Sequence, residues 1–161
     1  MLLWFLGISF AAVWLVFRSP MLDYRLVLLG SVLPIGELVL GGPRLAHTLT
    51  FAVAVMFVVM LATQKRRLVR RRWISLAIGL MMHLVLDGSW TQRALFWWPF
   101  FGWSFGEMQV PELSRGLAVT VLQEAIGVGV LAWCWVRFDL RDPVNRRLFL
   151  TTGHLNRDLA Q

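Results

Sequence analysis

His83 and Asp87 stand four residues apart in "GLMMHLVLDGSW" (79–90), a stretch that is otherwise apolar. On a helix that spacing stacks an imidazole and a carboxylate on one face, about one turn apart. Such a pair can ligate one metal ion, or one member can hold the other in the tautomer a neighbouring ligand needs. It can also do no more than satisfy itself inside a bundle. Three further ionisable residues, Glu37, His47 and Glu124, fall in or at the ends of apolar runs. Each ionisable group placed at a bilayer centre costs about 2.5–3.5 kcal/mol on insertion scales, so such residues are kept for a partner or a function.

The elements that must position these residues follow from the composition. The chain has 161 residues, of which 58% are apolar and 16% charged, with a mean hydropathy of +0.65. Long apolar runs broken by short charge clusters predict an all-α, polytopic integral membrane bundle rather than a water-soluble domain. Five spans are expected, over 2–17, 26–40, 47–63, 73–87 and 116–136. Only the last reaches the ~20 residues a straight crossing needs. Pro34, Gly36 and Glu37 are expected to break the second.

Charge sets the expected orientation. Lys65, Arg66, Arg67, Arg70, Arg71 and Arg72 crowd the connection "QKRRLVRRR", and Arg18, Arg25, Arg137, Arg141, Arg146, Arg147 and Arg157 fall on the same side. The positive-inside rule then puts the N-terminus outside and the C-terminus in the cytoplasm. The first run has no basic residue before Arg18, so it reads as a retained helix and not a signal peptide. The net charge of +7 is explained by this rule and by anionic headgroups, and no nucleic-acid partner is expected.

With alternating helix directions, Glu37, His47, His83 and Asp87 all approach the outer face, and Glu124 lies about two turns into the last span from that side. They come from four helices and can converge on one pocket. The aromatic segment "FWWPFFGW" (96–103) is expected to lie flat in the outer interface above it. Cys134 is alone, and no nucleotide-binding or serine-hydrolase motif is present. Residues 1–138 form the expected transmembrane domain. Residues 139–161 form a basic amphipathic cytoplasmic tail, with Asp142 and Pro143 opening a helix, Leu148 to Leu150 dipping toward headgroups, and His154 solvated.

The segments "VLPIGE" (32–37), "GPRLAHTLTF" (42–51), "HLVLDGSW" (83–90) and "FWWPFFG" (96–102) follow one another in an order that is familiar. The chain resembles the family of small polytopic bacterial inner-membrane metal-dependent hydrolases, one of which is described as LexA-binding and inner-membrane-associated. Members show Leu-Pro-Asp-x-Asp, then His-Arg-Gly-x-Thr-His-Ser, then His-x-x-x-Asp before a Trp-Pro loop. Pro34, His47, His83 and Asp87 match, whereas Ile35, Glu37 and Gly42 stand where that family has Asp, Asp and His. With two of the family's polar groups replaced, the residues that match suit a one-metal site of Glu37, His47, His83 and Asp87 in place of the family's two-metal site, holding a divalent ion such as zinc and completed by Glu124 or water.

The function expected from this set is hydrolysis of a lipid or lipid-linked ester or phosphoester at the outer face. Glu124 or Glu112 would serve as base, and Arg93, Arg115 and Trp98 would contact substrate. The competing expectations are a non-catalytic membrane subunit that binds a partner protein, with the polar cluster structural, and a small ion carrier.

Overall fold

A computed structural model of the chain describes residues 1–39, 44–103 and 115–158. Among them the protein is all-helical. The helices are α1 (Leu2–Phe17), α2 (Tyr24–Val32), α3 (Ile35–Val39), α4 (Leu49–Ala62), α5 (Arg67–Asp87), α6 (Arg93–Phe96), α7 (Leu117–Arg137) and α8 (Pro143–Thr152), with single 3-10 turns at Leu45–His47 and Ser89–Thr91.

Local chemistry sets most of these limits. Asp23, Thr48 and Asp142 cap α2, α4 and α8 by accepting backbone N–H bonds from Arg25, Phe51 and Val144. Gly88 ends α5 in the left-handed region at φ 78°, which a glycine adopts without strain. The second expected span is indeed divided, because Pro34 has no N–H to continue α2.

Several expectations are corrected. The third span does not include His47 in its helix: Thr48 caps α4, so His47 falls in the 3-10 turn just before it. The fourth begins at Arg67 instead of Trp73, because arginine is a good helix former and the basic connection joins the helix. Five spans were expected; among the described residues one helix, α7, is long and apolar enough to cross a membrane by length and composition, and α1 and α4 are shorter apolar helices. Residues of the expected tail pack on the rest of the chain. Leu140 and Leu155 are in the main core with Phe10, Trp14, Tyr24 and Phe138, and Phe149 packs against it in place of reaching outward. Tyr24 N–H donates to Gly153 O and Leu155 N–H to Pro20 O, tying the segment after α8 to the start of α2.

Two glycine crossings hold the bundle together. Gly30 of α2 and Gly79 of α5 sit backbone to backbone: a Cβ on Gly79 would overlap the Val27 carbonyl, and one on Gly30 the Leu76 carbonyl. Gly7 of α1 and Gly127 of α7 meet in the same way. Small residues at such contacts bring whole helices within backbone range. The first crossing places the end of α2 beside the last turns of α5.

Candidate metal centre

The C-terminal turns of α5 carry His83 and Asp87 on one face, as the four-residue spacing requires, and both are fully buried. His47 comes to them from the turn before α4, also fully buried, with its ring 5.3 Å from that of His83, centroid to centroid. One ligand atom from each of the three residues can be chosen so that all lie within 4.8 Å of one another.

Hydrogen bonds on the far side of each residue decide which atoms face inward. His83 Nδ1 lies 2.7 Å from the Ser31 carbonyl, which can only accept, so Nδ1 carries the proton and Nε2 keeps its lone pair. That carbonyl is free for the purpose because it lies in the last turn of α2, where the helix has no further N–H to offer. His47 Nδ1 lies 3.1 Å from Glu37 Oε2 and donates to it, leaving its Nε2 in the same state. The Ser89 hydroxyl donates to Asp87 Oδ2, brought back by the Gly88 turn, and leaves Oδ1. Among the described residues, His47 Nε2, His83 Nε2 and Asp87 Oδ1 are each buried without a hydrogen-bond partner.

Three electron-pair donors, one of them formally anionic, therefore face each other with no proton donor between them. An orphaned buried polar atom costs about 1–3 kcal/mol, and three at one point suit a cation. The donor set, two imidazole nitrogens and a carboxylate oxygen, is one that zinc and related divalent ions accept, and it leaves a coordination position open. Bonds near 2.1 Å place tetrahedral ligands about 3.4 Å apart, so the widest pair would draw inward. Phe5 of α1 stacks on His83 with ring centroids 4.3 Å apart and covers that side of the cluster.

The remaining expected site residues take other places. Glu37 is not one of the three converging donors. Its Oε1 accepts from Ala46 N–H at 2.9 Å and its Oε2 from Arg44 N–H at 3.0 Å, so it anchors the turn that carries His47 and orients the imidazole from behind. Glu124 is joined to the start of α1: Leu3 N–H donates to Oε2 at 2.9 Å and the terminal ammonium lies 3.4 Å from Oε1. Arg115 donates through Nη2 to the Asp87 carbonyl at 2.6 Å and through Nη1 to Gln123 Oε1 at 3.3 Å, which fixes its guanidinium at the end of α5. Arg93 is exposed at the first residue of α6. Trp98 is held over the start of α4, its carbonyl accepting from the Thr50 hydroxyl, with Nε1 donating to Trp103 O at 3.2 Å. Glu112 lies outside the described residues, as does Gly42.

Ser31, Ser89 and Phe5 were not expected in the site. Ser89 has a signal, a hydroxyl two residues beyond Asp87 across a glycine. Ser31 contributes only its backbone, for which a side-chain pattern carries no sign.

No protein-family model matches this chain, and neither a curated protein nor a solved structure matches it significantly.

Proposed function

We propose that this chain is a membrane-embedded, metal-dependent hydrolase of a lipid or lipid-linked ester or phosphoester, acting at the outer face of the bacterial plasma membrane. The observation that carries the reading is the convergence of His47 Nε2, His83 Nε2 and Asp87 Oδ1, each buried and without a partner among the described residues. The order of Pro34, His47, His83 and Asp87 along the chain, which resembles the inner-membrane hydrolase family, supports it.

A lipid setting is supported by the distribution of polarity. α7 is long and apolar enough to cross a bilayer, yet only 11% of its apolar window is buried, so the described chain leaves most of its apolar surface uncovered. Val121, Leu122, Val128 and Val136 on α7, Phe57 and Val58 on α4, and Phe100, Phe101 and Trp103 in the aromatic segment all face outward, while the charged and imidazole side chains of the site are buried. Apolar outside with polar inside suits a hydrocarbon solvent. The shorter helices α1 and α4 would cross with thinning of the bilayer or with flanking arginines reaching the headgroups. The N-terminus would lie outside and the arginines of α5 inside.

A divalent ion held by His47, His83 and Asp87 would polarise a substrate oxygen and acidify a water. The chain's own part is to keep the donors aimed. Glu37 and the Ser31 carbonyl hold the two imidazole protons on Nδ1, and Ser89 holds Asp87. Arg115 stands where it can receive a phosphate on the N–H groups that Asp87 and Gln123 leave free. Of the two carboxylates proposed as base, Glu124 is committed to α1, which leaves Glu112.

One observation favours a second reading, a non-catalytic subunit with a structural ion. All three donors are fully buried, and closed sites are the mark of structural metal. Metal analysis of the purified protein, with hydrolysis assays on lipid esters and phosphoesters before and after chelation, separates the two. The hydrolase reading expects about one ion per chain and chelator-sensitive turnover that His83→Ala abolishes. Bound metal without turnover favours the structural reading; wild-type protein without bound metal sinks both.

A further inference from the structure

The other end of α5 carries a second polar assembly, about 18 Å from the first at 1.5 Å rise per residue between Arg71 and His83. A cavity of about 400 Å³ opens there between the start of α2, the first turns of α5 and the end of α8, lined by Met21, Arg25, Leu68, Arg71, Arg72 and His154. Its floor is organised by Asp23, a fully buried carboxylate. Arg25 meets it with both Nε and Nη2, at 3.1 Å to Oδ1 and 3.0 Å to Oδ2, and Arg72 Nε lies 3.2 Å from Oδ2. Arg25 Nη1 also donates to the Leu150 carbonyl at 2.7 Å, so its guanidinium is fixed at three corners.

Asp23 neutralises one charge of the three guanidiniums around this cavity. Arg71, exposed, has no acidic partner among the described residues. The backbone N–H of His154 donates to the Thr152 hydroxyl at 3.2 Å, which holds the residue at the cavity wall. His154 is thus half-buried, not solvated as the sequence suggested. The cavity has a positive surplus, two donors, Arg25 and Arg72, held by Asp23 before any ligand arrives, and an apolar rim at Leu68, which is 80% exposed, and Met21.

We propose that this cavity binds a phosphate group, as a free phosphoester or as the headgroup of an anionic lipid, with Arg71, Arg72 and Arg25 as donors. Guanidinium forks match phosphate oxygens in pairs, and preorganised ones lose little freedom on binding. The rim takes the apolar part of the ester. The site is independent of the metal centre and of any reaction there.

His154 reports on it. Burial holds its pKa below the ordinary imidazole value; among nearby charges Asp23 pulls upward, while Arg25, Arg71 and Arg72 push downward. A bound phosphate adds negative charge beside the ring and favours the imidazolium, so the pKa rises on binding. By linkage, affinity increases as pH falls through that titration.

The test is a histidine NMR titration of the full-length protein in phosphatidylcholine nanodiscs, with the His154 signal assigned from His154→Asn. Inorganic phosphate is added in one arm, and phosphatidylglycerol is included in the nanodisc in the other. A saturable rise with phosphate alone identifies a free phosphoester site; a rise only with phosphatidylglycerol identifies a headgroup site. In either case Arg71→Gln, at an exposed position, weakens binding about tenfold without lowering the melting temperature. Arg147→Gln, which removes an arginine of α8 outside the cavity lining, changes it less than about twofold. No shift in either arm, or equal losses in the two variants, overturns the proposal.

Discussion

Asp23 and Asp87 are both fully buried carboxylates, one packed near each end of α5. They differ in what surrounds them. Asp23 meets two guanidiniums and also accepts the backbone N–H of Arg25, and a Cβ on Gly153 would collide with it, so its environment is filled. Asp87 has one hydroxyl on Oδ2 and, among the described residues, nothing on Oδ1, next to two imidazole nitrogens that also have no proton to offer. Burial alone does not distinguish a structural acid from a ligand. The remaining unsatisfied valence does, since a buried charge without partners is costly unless something absent from the polypeptide completes it.

That contrast can be broken first at the unsatisfied end. His47→Ala removes one of three donors, and the ion-to-protein ratio should fall from about one to below about 0.1 in elemental analysis; a ratio left near one would place the ion elsewhere. At the satisfied end, Asp23→Ala should leave metal content unchanged but strand Arg25 and Arg72. A loss of roughly 3 kcal/mol is expected in denaturant unfolding, at the low end for a broken buried pair because Arg72 is half in solvent. A loss of bound metal with unchanged stability would mean that the roles had been assigned the wrong way round.

Two smaller effects sharpen the distinction. Glu37→Gln preserves an oxygen for Ala46 but loses the charge that orients His47, and chelator competition should show metal affinity down about 10–100-fold. Asp87→Asn should have opposite effects in the two states of the protein. With metal removed it raises stability by about 1 kcal/mol, because a neutral amide replaces an uncompensated carboxylate and offers a donor to an imidazole lone pair. With metal supplied it lowers stability. The same sign in both states would make the cluster self-sufficient.

The parts of the fold legible in the sequence were those set by local chemistry. α1 runs from Leu2 to Phe17 as its apolar run indicates, α7 is displaced from the expected span by one residue, and Asp142 and Pro143 open α8. Spacing alone put His83 and Asp87 on one face. His47 joins them as the shared depth indicated, although it does so from a turn and not from a helix.

The features that escaped depend on contacts between distant segments. Asp23 caps α2, and its pairing with Arg72, 49 residues on, depends on how α5 folds against it. Glu124 reads as an acid poised in a span, yet it receives the first residues of the chain. Glu37 falls beside the site but spends its oxygens on two backbone N–H groups and the back of the His47 ring. In each case the residue type was informative and the partner was not.

The crossing of Gly30 and Gly79 bears on the order of assembly. Ser31 and His83 follow these glycines by one residue and one helical turn, so the carbonyl that fixes the His83 proton arrives only when α2 has docked on α5. His47 arrives separately, with α4. On the proposed reading of a metal-binding membrane protein, a chain still emerging into the bilayer would hold at most a pair of donors from α5, too few to retain an ion. Metal acquisition would then be a late event in biogenesis, and the bound ion a mark of chains whose helices have already found one another.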